Sequence, residues 1–219
     1  MSRVRVLVEG QTERAFVDGV LKPHFDPSGI YLHALMFRPR GGRPRYAQAK
    51  ERIANSFKED NDLICTTMVD FYELGKDWPG REQANSCRTV TEKAKTIEDA
   101  LLVDVQSCMG DSFNPARFTP YVQMHEFEAL LFSNPVILAD KLESSLKTCF
   151  ENIRDQFSSP EEINDNYETC PSRRIKHACP SYDKVADGKL ISKAIGLEMI
   201  RTECPHFNEW LTKLESLRQ

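Results

Sequence analysis

Val4-Arg5-Val6-Leu7-Val8-Glu9-Gly10-Gln11-Thr12-Glu13 packs a strand, a turn and a helix start into ten residues, and the order of those three decides the fold. Residues 4–8 are apolar and β-branched enough for a buried strand. Gly10 frees the backbone for a tight turn, and Thr12 is expected to cap the helix that follows. Glu9 then stands at the carboxyl end of a strand, with Glu13 one helical turn further on. In open α/β sheets that edge gathers ligands and catalytic groups. The plainer alternative is two loop acids favoured by a helix dipole.

Working outward, Phe16, Val17, Val20 and Leu21 recur at helical spacing before Pro23, so a helix is expected over residues 12–22. Residues 30–37 read as a second strand, followed by a loop with arginines at 38, 40, 43 and 45 among prolines and glycines. Tyr46, Ala49, Ile53 and Phe57 mark a second helix, and residues 63–70 a third strand. This β-α-β-α-β order favours a parallel sheet with right-handed crossovers, which puts Asp70 on the same rim as Glu9.

Further along, residues 71–81 read as a loop and residues 82–109 as mostly helical, with Ile97, Leu101 and Val105 one turn apart. A fourth strand is expected over residues 118–124. It runs into His125-Glu126-Phe127-Glu128-Ala129-Leu130-Leu131-Phe132, which reads as a helix start with an apolar stripe. Two positions turn a helix by roughly 200°, so at most one of Glu126 and Glu128 is expected as a metal ligand. From residue 134 the chain is helical with breaks at Pro160, Pro171, Pro180 and Pro205, and residues 165–180 are expected to form an exposed loop. The expected fold is α/β: a small parallel sheet of about four strands flanked by helices, in a core over 1–133, with a helical C-terminal extension over 134–219 packing on it.

Composition bounds the function. A chain that is 40% hydrophobic and 28% charged can bury a core, which excludes a disordered polymer. No apolar run approaches bilayer length, so no membrane is expected. The net charge of -4 excludes a uniformly basic nucleic-acid coat and leaves a local basic patch open. Seven scattered cysteines without a Cys-x-x-Cys pair suit a reducing compartment, and a cytoplasmic location is expected. Cys170, His177, Cys179, Cys204 and His206 match no paired zinc spacing. The His-Glu-x-x-His pattern of zinc proteases fails because Ala129 stands where the second histidine belongs.

Carboxylates at the strand ends, Glu9 with Glu13, Asp70, and Glu126 or Glu128, would concentrate negative charge that needs neutralising. A hard divalent cation, Mg2+ or Mn2+, takes oxygen ligands and leaves positions for phosphate and water, which points to metal-dependent phosphoryl chemistry. Glu9, Asp70 and Glu126 are the candidate metal ligands. Arg40 and Arg43 in one loop, and Arg173, Arg174 and Lys184 near the C-terminus, are candidates for binding phosphate or nucleic acid.

Several stretches carry a resemblance: Val8-Glu9-Gly10-Gln11-Thr12-Glu13, Thr67-Met68-Val69-Asp70-Phe71-Tyr72, residues 125–132, and Pro171-Ser172-Arg173-Arg174-Ile175 with Tyr182, Lys184 and Gly188. Together they resemble a Toprim-like family of bacteria and archaea, often encoded beside an ABC- or AAA-type ATPase. That family is related to the Toprim domains of topoisomerases, primases and overcoming-lysogenization-defect nucleases. The resemblance implies a four-stranded parallel core, a magnesium site with Glu9 and Asp70 as the Toprim acids, nuclease activity on DNA or RNA, and an ATPase partner in a defence system. Tyr72 departs from it, standing where the second aspartate would be; its phenol stays protonated at neutral pH, so either Glu13, Glu73, Asp77, Glu126 or Glu128 substitutes, or the site holds one metal, or catalysis has been lost. The alternatives are a non-catalytic subunit docking the ATPase and a small phosphoesterase.

Overall fold

A computed structural model of the chain describes residues 1–39, 41–163 and 168–217. β1 (Ser2–Val8), β2 (Ile30–Met36), β3 (Ile64–Asp70), β4 (Phe118–Thr119) and β5 (Val122–Gln123) make one parallel sheet in the order β2-β1-β3-β4, with β5 also pairing with β3. Val4, Val6 and Val8 point to one face and Leu7 to the other, the two-residue alternation of a strand buried on both sides. The fold class therefore agrees with the expectation from patterning.

Each face has its own core. On one, α1 (Gln11–Phe16), a π turn (Val17–Leu21) and α2 (Lys22–Phe25) cover the β-branched side of β1 and β2. On the other, α3 (Tyr46–Glu59), the short α4 (Arg81–Ala84) and α5 (Val90–Met109) bury Phe57, Trp78 and Leu101 against Leu7, Cys65 and Val69. The remaining helices are α6 (Pro135–Leu142), α7 (Lys147–Arg154), α8 (Pro171–Ala178), α9 (Ala186–Ile195), α10 (Leu197–Glu203) and α11 (Pro205–Glu215). Leu138, Phe150, Ile191 and Trp210 from these helices belong to the same apolar cluster as Val4 and Val6. No helix among the described residues is long and apolar enough to cross a membrane.

Local chemistry moved several boundaries. The first helix does not stop at Pro23; it widens into the π turn and resumes, a register change that accommodates a residue without an N–H. Gly10, not Thr12, is its cap, because the Glu13 carboxylate reaches back to accept the Gly10 N–H at 2.9 Å. The stretch over 82–109 is broken, since Thr89 and Glu92 form a reciprocal capping box that starts α5 afresh. Within 165–180, Pro171 begins α8 and Ile175 is buried, so this part is a packed helix and not an exposed loop; residues 164–167 lie outside the described ones.

Pro120 splits the expected fourth strand into β4 and β5 because it has no N–H to pair. Thr67, fully buried, repairs the gap: its hydroxyl accepts the Tyr121 N–H at 2.9 Å and donates to the Tyr121 carbonyl at 2.8 Å. Thr67→Val keeps the shape but orphans two buried backbone groups, and should cost on the order of 3 kcal/mol in a urea unfolding curve. A loss below about 0.5 kcal/mol would show that the splice is unimportant.

The chain leaves β1 to pair β2 on one side and then returns to pair β3 on the other. The crevice beyond the carboxyl ends of β1 and β3 is thus the topological switch point of the sheet, where ligands bind in this class of fold.

Candidate active site

Glu9 is the first residue after β1 and Asp70 the last of β3, so the parallel sheet delivers both to the switch point. Glu13 arrives from the first turn of α1. The remaining two acids come by a less regular route. After β5, His125 adopts a left-handed conformation (φ 61°) with its ring edge-on to Phe71, and its carbonyl accepts the Tyr72 N–H at 3.1 Å. A non-glycine residue held there is a strained turn. It clamps the segment carrying the acids to the exit of β3.

Beyond it Glu126 is extended, and residues 127–133 form a 3-10 helix, not an α-helix. The α-helix assumed for residues 125–132 is therefore not formed, and its roughly 200° divergence of Glu126 from Glu128 does not apply. Both are buried, and both act on Asp70. Glu126 accepts hydrogen bonds from the Ser172 N–H at 2.9 Å and the Ser172 hydroxyl at 3.1 Å, at the start of α8. Glu128 is 3.2 Å from the Nζ of half-exposed Lys184, and the buried Tyr182 hydroxyl also faces it.

Four of these carboxylates, Glu13, Glu9, Glu128 and Glu126, lie within electrostatic range of Asp70. Burial, then the charges of Glu13, Glu9, Glu128 and Glu126, push the Asp70 carboxyl well above its ordinary range. Burial, with Glu13 and Glu73 adding to it, lifts Glu9 to about 8 against the opposing Asp70 N–H and Lys184. Glu128 rises to about 7, mainly through burial, with Lys184 holding it down. Glu13 is raised by burial too, although the Gly10 N–H favours its charged form. Lys184 moves the other way from burial: Glu128, Glu126 and Asp70 keep it protonated above its ordinary range.

The donors are all hard oxygens, which is the set a Mg2+ or Mn2+ ion takes. Asp70 contributes a buried Oδ1 without a hydrogen-bond partner, an atom that folding leaves waiting for a cation or a proton. Among the described residues no three His, Cys, Asp or Glu side chains are grouped so as to hold a metal ion. The acids match a divalent ion in donor type and charge, not in grouping.

The profile of a family described as a domain of unknown function, DUF4276, matches residues 8–215. This chain belongs to the DUF4276 family. No curated protein and no solved structure matches it. The matched span takes in every member of the carboxylate cluster of this DUF4276 protein, from Glu9 to Glu128, together with Ser172 and Lys184.

The other candidates divide. Arg40 lies outside the described residues. Arg43 is exposed in a loop that crosses the Glu9–Gly10 turn, with Gly41 packed against the backbone there and Arg43 itself beside Gly75. Arg174 is engaged, its Nε donating to the Thr169 carbonyl at 2.6 Å, while Arg173 is exposed on α8. Asp77, one conceivable substitute for the missing second aspartate, instead accepts the Tyr46 N–H at 2.7 Å and caps α3. Glu73 stays in range of Glu9. Ser172 and Tyr182 carried no assigned role in the sequence; the one signal was that both fall in the stretches quoted for the resemblance.

Proposed function

We propose that this DUF4276 protein is a divalent-metal-dependent phosphodiesterase acting on nucleic acid, a nuclease of Toprim type. The observation that carries the reading is the convergence of Glu9, Glu13, Asp70, Glu126 and Glu128 at the switch point, with Asp70 Oδ1 buried and unpartnered. Glu9, Asp70 and Glu126 would hold Mg2+ or Mn2+, which when bound polarises a phosphoryl oxygen and acidifies a water. Ser172 orients Glu126 through two hydrogen bonds, and Glu13 keeps the β1 turn closed through the Gly10 N–H. Glu128, at about 7, can take or give a proton at neutral pH, and Lys184 beside it supplies positive charge for a phosphoryl oxygen. The resemblance adds an ABC- or AAA-type ATPase partner, a defence role and a cytoplasmic setting to the proposal.

Two observations favour a second reading, a non-catalytic subunit that docks an ATPase: Tyr72 stands where the resemblance places the second Toprim aspartate, and among the described residues no three acids are grouped so as to hold a metal ion. The test incubates the full chain, with and without an ABC- or AAA-type ATPase of the kind the resemblance implies, with plasmid, single-stranded DNA and RNA in Mg2+ or Mn2+. Cleavage that disappears in Glu9→Ala and Asp70→Ala supports the nuclease. Absence of cutting under every metal, with an ATPase complex that survives both substitutions, supports the docking subunit.

A further inference from the structure

Beside the carboxylates lies a groove of about 870 Å³, lined by α7 on one side and α8 on the other. The α7 side is apolar. Leu146, which caps α7, and Cys149 and Ile153 on it recur at the spacing of one helical face, and Ala178 adds an apolar contact from the end of α8. Leu146, Ile153 and Ala178 pack only partly on the core, and Cys149 is exposed, so this face looks into the groove. The α8 side carries positive charge: Arg173 and Lys176 share one exposed face with His177, and Arg174, held to the Thr169 carbonyl, lines the groove beside them. Among the described lining residues Glu168 is the acid and Arg173, Arg174, Lys176 and Lys184 the permanent cations, Lys184 being paired with Glu128. The groove also takes in Ser172 and Lys184, the residues that hold Glu126 and Glu128.

We infer that this groove receives a single-stranded polynucleotide, bases against α7 and phosphates along α8, and leads its backbone to the carboxylates; this rests on the phosphodiesterase reading above. An apolar wall facing a cationic wall complements a strand whose bases and phosphates lie on opposite sides. A duplex turns its bases inward and shows phosphate on both flanks, leaving the α7 wall without a partner. A mononucleotide offers one base and one phosphate group, too little to use both walls along their length.

The test uses the full chain carrying Asp70→Ala, in chelator so that nothing is cut, with labelled oligothymidylate, oligouridylate, a hairpin duplex of equal length and thymidine monophosphate. Single strands are expected to bind roughly tenfold or more tightly than the duplex. Cys149→Asp and Lys176→Glu, both at exposed positions, should each weaken single-strand binding by roughly tenfold, with unchanged melting curves as the folding control. Lys176→Glu should in addition flatten the salt dependence. Equal affinity for the duplex, binding indifferent to both substitutions, or monophosphate binding as tight as that of the oligonucleotides would overturn the inference. Metal-dependent cleavage by the otherwise native chain that ignores both groove substitutions sinks the groove and leaves the phosphodiesterase standing. Groove-dependent single-strand binding without cleavage in any metal does the reverse.

Discussion

Asp70→Asn should abolish phosphodiester cleavage while raising the melting temperature of the metal-free protein. The two effects have one cause. Asp70 is 8% exposed, its Oδ1 has no hydrogen-bond partner, and four glutamates raise its proton affinity. Asn removes the cost the fold bears at neutral pH of either taking up a proton at this site or burying a charge there, which should stabilise by about 1–2 kcal/mol, or roughly 2–8 °C. The same change deletes a candidate metal ligand. Groups that merely orient a ligand cost 10- to 100-fold when lost, so activity should fall by more than about 100-fold. Mn2+ should raise the melting temperature of the native sequence and leave Asp70→Asn unmoved, because a ligand that binds only the folded state stabilises it. A variant that melts lower than the native chain and still responds to Mn2+ would remove Asp70 from the centre of the site.

The second large effect is on pH. Glu9 is raised to about 8 and Glu128 to about 7, so the folded chain holds protons that the unfolded chain, at an ordinary carboxyl value near 4.5, has released. Stability from such groups is complete below the unfolded value and is lost as pH climbs through the folded one. Metal-free protein should therefore be most stable near pH 5 and weaken toward pH 8.5. Each tenfold gain in proton affinity is worth about 1.4 kcal/mol; allowing for coupling and partial solvation, a fall on the order of 3 kcal/mol, or roughly 6–12 °C, is expected. His206, raised by Glu98, and Glu161, raised by burial, push the same way, whereas the lowered Asp104 and Glu215 act only at more acid pH. Glu9→Gln isolates the contribution of the site by flattening the slope. Saturating Mn2+ should flatten it too, since a metal takes the charged carboxylates and its affinity rises with pH. Melting curves from pH 5 to 8.5 decide the matter; a native chain that gains stability across that range would contradict the buried cluster.

Much of this arrangement is legible in the linear chain. The β-branched run over residues 4–8, the helical spacing of Tyr46, Ala49, Ile53 and Phe57, and the apolar run ending at Asp70 specify a parallel α/β sheet, because the burial period of each element is written in its own residues. Placing Glu9 and Asp70 on one edge follows from that alternation alone. What local pattern could not supply was every feature set by a partner far along the chain. Glu126 and Glu128 are expected to diverge on one helix, yet after the strained His125 Glu126 stays extended ahead of the 3-10 helix, and both acids act on Asp70. Ser172 reaches Glu126 across 46 positions, and α8 forms where a loop was expected because Ile175 finds the core. The sequence by itself determined the first three strands, the helices between them and which edge the first acids share, since those depend on neighbours within a few residues. Only the tertiary structure decided which carboxylates meet, which are tied to Ser172 and Lys184, and that a groove opens beside them, because those depend on contacts between segments that sequence spacing leaves unrelated.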